Sequence, residues 1–307
     1  MKAFIPIEIT DARLVSSTIT EPDTAEPEWS PLTTYVEGNT VSVIDTDSHL
    51  VYEALANVTA NLNKPPATSP TFWIEKSNTN KFRMFDRYKG TPSRAASPCT
   101  IVLRPGKRID ALMIRLSATT IEMTVTNGID GPVAFTLDGY LQNRKAASFN
   151  EFFFSPFHYQ KVVTTFSIPP VEDPVVTITL TDPSGFIDIE HLAIGQSVFL
   201  GAAQKNNPIV DSDNYSEITW DDFGYATLTP AQSIPTLDVE VACPKNRVDI
   251  VRQFKSDANA KAVVWSALDD FDHDYTESLV IYGVYRSFPI NVDDPNFPVI
   301  KLSLKGI

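Results

Sequence analysis

Two stretches of this 307-residue sequence gather enough oxygen ligands to hold a hard cation. Asp269, Asp270, Asp272 and Asp274 surround His273, and Asp211, Asp213 and Tyr215 are spaced like the start of a calcium loop. In the second stretch the sixth position is Ser216, where a calcium loop needs Gly, and the twelfth is Asp222, where it needs a bidentate Glu. Both read first as solvated acidic loops, and no metal site is assigned. The histidines are His49, His158, His191 and His273, none paired at metal-ligand spacing. Glycine-rich phosphate loops, HExxH, GxSxG and CxxC are missing from the sequence. No catalytic residue and no cofactor is assigned, and the chain is not expected to be an enzyme. A cell-wall glycosidase would need two carboxyl groups about 5–9.5 Å apart. Nothing singles out a pair from the 38 Asp and Glu.

Binding chemistry is better represented than catalysis. Phe152, Phe153, Phe154 and Phe157 crowd one short stretch, which reads either as an interior strand and bend or as a protein-binding patch. Lys81, Arg83, Arg87, Lys89, Arg94, Arg104, Lys107 and Arg108 form a basic run broken only by Asp86. Arg83, Arg87 and Arg94 are expected to face acidic surfaces of a neighbouring subunit, in preference to a nucleic-acid groove. Cys99 and Cys243 are too few and too far apart for a disulfide framework, and are expected as separate buried thiols.

Four segments position these groups. Residues 1–28 read as an extended arm and linker, since Pro22 and Pro27 forbid a helix. Residues 29–80 form a compact β module with strands at Asn39 to Ile44 and His49 to Ala54, joined by Asp45-Thr-Asp-Ser48. So small a module leans on its aromatic residues for a core. Residues 81–200 show strict alternation at Ile121, Met123 and Val125 and at Val176, Ile178 and Leu180, with turns at Asn127-Gly128 and Asp182 to Gly185. That pattern predicts a jelly-roll-like β-sandwich. Residues 201–307 hold the one clear helical period, Val248, Val251 and Phe254 behind Pro244, between strand-like runs. A mainly β chain is expected, ending in an α+β unit with one helix on an antiparallel sheet.

The formal net charge of −13 is unevenly placed. Residues 1–80 carry 11 acids and 4 bases, 81–200 carry 11 and 12, and 201–307 carry 16 and 9. An acidic chain disfavours duplex nucleic acid as the main partner. Acidic ends around a neutral centre allow electrostatic matching between copies or to other proteins. With 43% hydrophobic and 21% charged residues the chain is expected to fold. No stretch approaches the ~18 apolar residues of a membrane helix, so no membrane insertion is expected. The segment MKAFIPIEITDARLVSS lacks the apolar core of a secretory leader.

The order Trp29, Tyr35, Gly38, Val41, Tyr52, Ala54, Pro70, Trp73 resembles the skeleton of small chitin-binding-type carbohydrate modules. This resemblance implies sugar stacking by Trp29, Tyr35, Tyr52 and Trp73, the same rings the module needs for its core. Those modules usually have a Gly in the central turn, where this chain has Asp45 to Ser48. Next, Asn78-Thr-Asn-Lys-Phe-Arg-Met-Phe-Asp86 is similar to the TNRWRMFD segment that follows such a module in tail proteins of tailed bacteriophages. Ile194-Gly195, Leu200-Gly201, Asp213-Asn-Tyr-Ser216, Asp222-Phe-Gly224, Val263-Val-Trp265, Val280 to Tyr285 and Leu302 to Ile307 follow in the order seen in those proteins. The resemblance implies a virion structural protein of the tail tip or baseplate, made in the host cytoplasm, present in multiple copies and contacting other tail proteins and fibres. A receptor-binding adhesin recognising surface polysaccharide is the alternative it leaves open.

Overall fold

The computed structural model describes residues 1–46, 48–57, 64–86, 90–143, 148–203, 208–220, 222–268, 276–292 and 297–307. The chain folds as two compact units, Ile7–Ile194 and a second made of Met1–Pro6 with Gly195–Ile307. The fold is mainly β, as the alternating pattern predicts.

In the first unit a five-stranded sheet runs in the order Val133–Tyr140, Thr120–Asn127, Pro174–Thr181, Cys99–Leu103, Leu14–Ser17. A four-stranded sheet runs Val162–Thr165, Ala111–Ser117, Phe186–Gly195, Ser93–Ala96. Register lines the inward residues of three neighbouring strands into rows: Val125, Val176 and Leu103, then Met123, Ile178 and Ile101, then Ile121, Leu180 and Cys99. Leu112, Ile114, Ile187 and Ile189 of the other sheet join them in one core, which makes a two-sheet sandwich. Cys99 is a core residue of this row, and burial pushes its thiol pKa up while a hydrogen bond with Thr18 opposes the shift. Both cysteines are free and buried, as expected.

The small module is a three-stranded sheet of Thr40–Asp45, Ser48–Ala54 and Trp73–Asn78. Its core is Tyr35, Val41, Tyr52, Ala54 and Trp73, with the Tyr35 and Trp73 rings edge to face at 5.2 Å. The segment read as an extended arm and linker is bound at several points. Leu14–Ser17 pairs with the edge of the sandwich, and Ser42 of the module exchanges backbone hydrogen bonds with Pro27 and Trp29. Between them runs a polar seam. Glu21 lies 2.9 Å from His49 Nδ1 and 3.5 Å from Lys81 Nζ, and it accepts a hydrogen bond from Thr79. His49 stacks on Phe82 at 3.8 Å, and its Nε2 lies 3.1 Å from Asp11. Arg83 pairs with Glu26, and Asn80 Nδ2 donates to Asp23 at 3.2 Å and to the Arg94 carbonyl at 2.8 Å. Segment 78–86 thus fastens residues 11–26 to the module.

In the second unit the strand Lys2–Phe4 lies between Ser197–Phe199 and Val263–Ser266 in a nine-stranded sheet. Val280–Ser287, Val299–Gly306, Ser233–Ala242 and Ala202–Ala203 follow in order, with Ile209–Asn214 also on Ser233–Ala242 and Ile290–Asn291 on Val299–Gly306. The helix Val248–Asp257 covers this sheet through Val251 and Phe254, and Ile250 is half exposed. Phe254, Tyr285 and Phe288 meet Trp265 edge to face, and Trp265 Nε1 donates to the Gly283 carbonyl at 3.2 Å. Besides that helix, Phe149–Phe154 and Thr276–Leu279 are short helical turns the pattern does not show.

At Gly283 a Cβ would stand 1.9 Å from the Lys305 carbonyl oxygen of the paired strand, which is backbone and cannot swing aside. Gly283→Ala is expected to lose about 3 kcal/mol, the upper end of overpacking costs, read by denaturant unfolding. Cys99 is expected to stay unmodified by iodoacetamide in the folded chain and to react on unfolding, read by mass spectrometry of its peptide.

Candidate functional site

The sites expected from sequence separate into those absorbed by the fold and those left exposed. Tyr35, Tyr52 and Trp73 are buried, with Trp73 Nε1 donating to the Lys64 carbonyl at 3.0 Å, and Trp29 packs partly buried against them. Tyr35, Tyr52 and Trp73 are thus spent on the module's core. Arg83 pairs with Glu26 within the seam. Arg94 lies 3.4 Å from Asp188 and over the Phe186 ring, and Arg104 makes a two-pronged pair with Asp173. Lys81, Arg83, Arg94 and Arg104 thus meet acids of their own chain. Arg87 lies outside the described residues, as does the acidic run 269–274. Asp211 and Asp213 lie in the strand Ile209–Asn214 and not in a loop, and no cluster among the described residues suits a metal.

The phenylalanine stretch is neither an interior strand nor a bend. It is the tip of a finger between two sandwich strands. Gln142–Asn143 pairs with His158–Tyr159 at its base, and buried Leu141 anchors it through backbone bonds to Thr119 and Gln160. At the tip Ser148 Oγ caps the helix Phe149–Phe154 by accepting from the Glu151 N–H at 3.2 Å. The Ser148-Phe-Asn-Glu151 spacing is a capping box, the signal in the sequence that announces this helix. None of its residues is buried: Phe149 is 83% exposed and Phe154 82%. Phe149 and Phe153, four residues apart, touch at 4.7 Å between centroids.

A second exposed feature has no counterpart in the sequence reading. Ile209–Asn214 pairs with the first half of Ser233–Ala242 as an edge ladder of the large sheet. Beyond it Ser216 exchanges hydrogen bonds with Ala231, and Glu217–Trp220 pairs with Ala226–Thr229 as a two-stranded ribbon. Gly224, at φ +82, allows the turn between them. Register puts Ile218 opposite Leu228 and Trp220 opposite Ala226 on one face, and Glu217, Thr219, Thr227 and Thr229 on the other. Trp220 is 69% exposed, Leu228 68% and Ile218 57%. Isolated two-stranded ribbons are marginal in water. Full burial of each large apolar side chain is worth about 1.5–3 kcal/mol, so this face gains most from a partner.

The root of the ribbon is fixed by charge. Lys305 Nζ lies 2.8 Å from Asp213 and 4.8 Å from the Tyr215 ring centroid, and Arg286 bonds Asp213 as well. The hydrogen bond from Lys305, then that from Arg286, holds the Asp213 carboxyl below its ordinary pKa, and Asp213 in turn raises Lys305. A nearby concavity of about 220 Å³, lined by Ile209, Asp238 and Lys301 among others, is smaller than the roughly 300–1,000 Å³ of a ligand pocket. The chain matches no protein-family model and no curated protein sequence.

A lowered folded pKa stabilises above the ordinary carboxylate range and loses its contribution as pH falls through the lowered value. Lys305, raised, contributes below the ordinary ammonium range and loses it in alkali. Asp213→Asn is expected to lower the melting temperature at neutral pH. The gap to wild type should close in acid, as read by thermal unfolding across a pH series.

Proposed function

We propose that the protein is a structural component of a bacteriophage tail tip or baseplate, which works by docking to neighbouring tail proteins and supporting fibres. The observation that carries this reading is the pair of exposed aromatic appendages, a capped helix on one unit and an amphipathic ribbon on the other, each held by a hydrogen-bonded base. Groups of large apolar side chains left in water mark protein interaction surfaces. The ordered likeness to phage tail proteins supplies the assembly to which such surfaces belong. Its motifs fall on residues with specific structural work: Thr79, Asn80, Lys81 and Arg83 in the seam, Trp265 at the centre of an aromatic cluster, Gly283 where the paired strand's Lys305 carbonyl leaves no room for a Cβ. The unit containing Gly195–Ile307 is the tail-docking part in this reading. Adhesion to polysaccharide through Trp29, Tyr35, Tyr52 and Trp73 draws no support from rings that pack on one another.

Antibody raised against the recombinant chain is expected to label the distal end of the tail in purified virions, seen by immunogold electron microscopy. Protein found only in the soluble fraction of infected cells would overturn the proposal.

A further inference from the structure

We propose that His49 is a proton-operated latch, which clasps arm residues 11–21 to the small module when its ring is doubly protonated and loosens them when it is not. The imidazole stands between two carboxylates of the arm. Its Nδ1 lies 2.9 Å from Glu21 Oε1, and its Nε2 lies 3.1 Å from Asp11 Oδ2. Phe82 stacks on the ring at 3.8 Å between centroids and holds its plane. A carboxylate oxygen only accepts hydrogen bonds, and a neutral imidazole has one N–H to give. With both nitrogens turned to carboxylates, a neutral ring sets a lone pair against one of them. The form that fits this seam is the imidazolium, which carries an N–H on each side.

The charges around the ring lead to the same form. Among the described residues, the charged groups that face it are Asp11 and Glu21 from the arm and Lys81, 3.5 Å from Glu21, from the turn after the module. Ile44 lies opposite His49 on the neighbouring strand. Farther along the seam Glu26 pairs with Arg83, and Asp23 accepts from Asn80. Two negative charges beside the ring meet two positive ones only when the ring is protonated. The Glu21 side chain is 6% exposed, and a buried carboxylate short of partners is costly. Asp11, 43% exposed, is the partner that can turn out to water.

Histidine is the side chain whose charge changes between about pH 5 and pH 8. Loss of the second proton to solvent leaves Nδ1–H on Glu21 and turns a lone pair to Asp11. The turn that Asp11 opens, in which the Arg13 and Leu14 amides donate to the Thr10 carbonyl at 2.9 and 3.0 Å, then loses its tie to the module. Proton binding and arm binding favour each other by linkage, so the contact contributes in mild acid and is lost as pH rises.

Hydrogen exchange of the full chain at about pH 5.5 and about pH 8, corrected for the intrinsic rate at each pH, tests this. The peptide spanning residues 11–21 is the reporter, and Val263–Ser266 of the second unit is the control. In wild type, protection of the reporter is expected to fall about tenfold between the two conditions, the scale of one charge-assisted hydrogen bond, while the control is unchanged. Asp11→Asn supplies an amide N–H to the lone pair of a neutral ring, and should keep the arm protected at both pH values. His49→Gln has no second proton to gain, and should show the same protection at both. Equal protection of the wild-type arm in the two conditions overturns the proposal, as does either variant keeping the wild-type fall. Should His49→Gln fail to fold, wild type and Asp11→Asn decide alone.

Discussion

An antiparallel pair of strands puts its apolar residues on one face, and that face must meet something other than water. The molecule satisfies this demand three times within itself. The sandwich closes sheet on sheet, the large sheet of the second unit takes the helix Val248–Asp257, and the small module folds its aromatics onto one another. Among the described residues, the ribbon and the phenylalanine helix each leave a group of large apolar side chains exposed. Neither is long enough to make a core of its own, and both are held at their bases, so their exposed faces are displayed at fixed positions on their own units.

Charge ties the first unit to itself. The acidic N-terminal region and the basic run after residue 80 invite matching between copies. In the structure Glu21, Asp23 and Glu26 meet Thr79, Asn80, Lys81 and Arg83 of the same chain, and Arg94 and Arg104 meet Asp188 and Asp173. The folded small module between them already tethers the two segments, which lowers the chain entropy their pairing costs. The ribbon strands carry the single acid Glu217 and no base.

The sandwich was legible because its period is two and its turns are marked by Asn127-Gly128 and Gly185. The helix at Val248–Asp257 was legible because Val251 and Phe254 recur at helical spacing behind a proline. The contribution of Lys2–Phe4 to the second unit was hidden, since pairing with Val264 and Trp265 joins residues about 260 apart and leaves no local trace. The edge strand Ile209–Asn214 was hidden by its polar sequence, which imitates a calcium loop until Lys305 and Arg286 are seen to hold Asp213. The finger helix was hidden because consecutive phenylalanines favour neither state strongly; only its Ser148 and Glu151 cap declared it. The module's aromatic skeleton was visible, but spacing alone does not say whether rings face inward. Tyr35 and Trp73 do.

The central claim is that the exposed aromatic residues of this chain are covered in its working state. Hydroxyl-radical footprinting of the isolated chain and of the chain within purified virions tests it most directly. The account predicts strong oxidation of Trp220, Phe149 and Phe154 in the isolated chain and several-fold protection in the particle, with buried Trp265 unreactive in both. Equal oxidation of Trp220, Phe149 and Phe154 in the two states would contradict it.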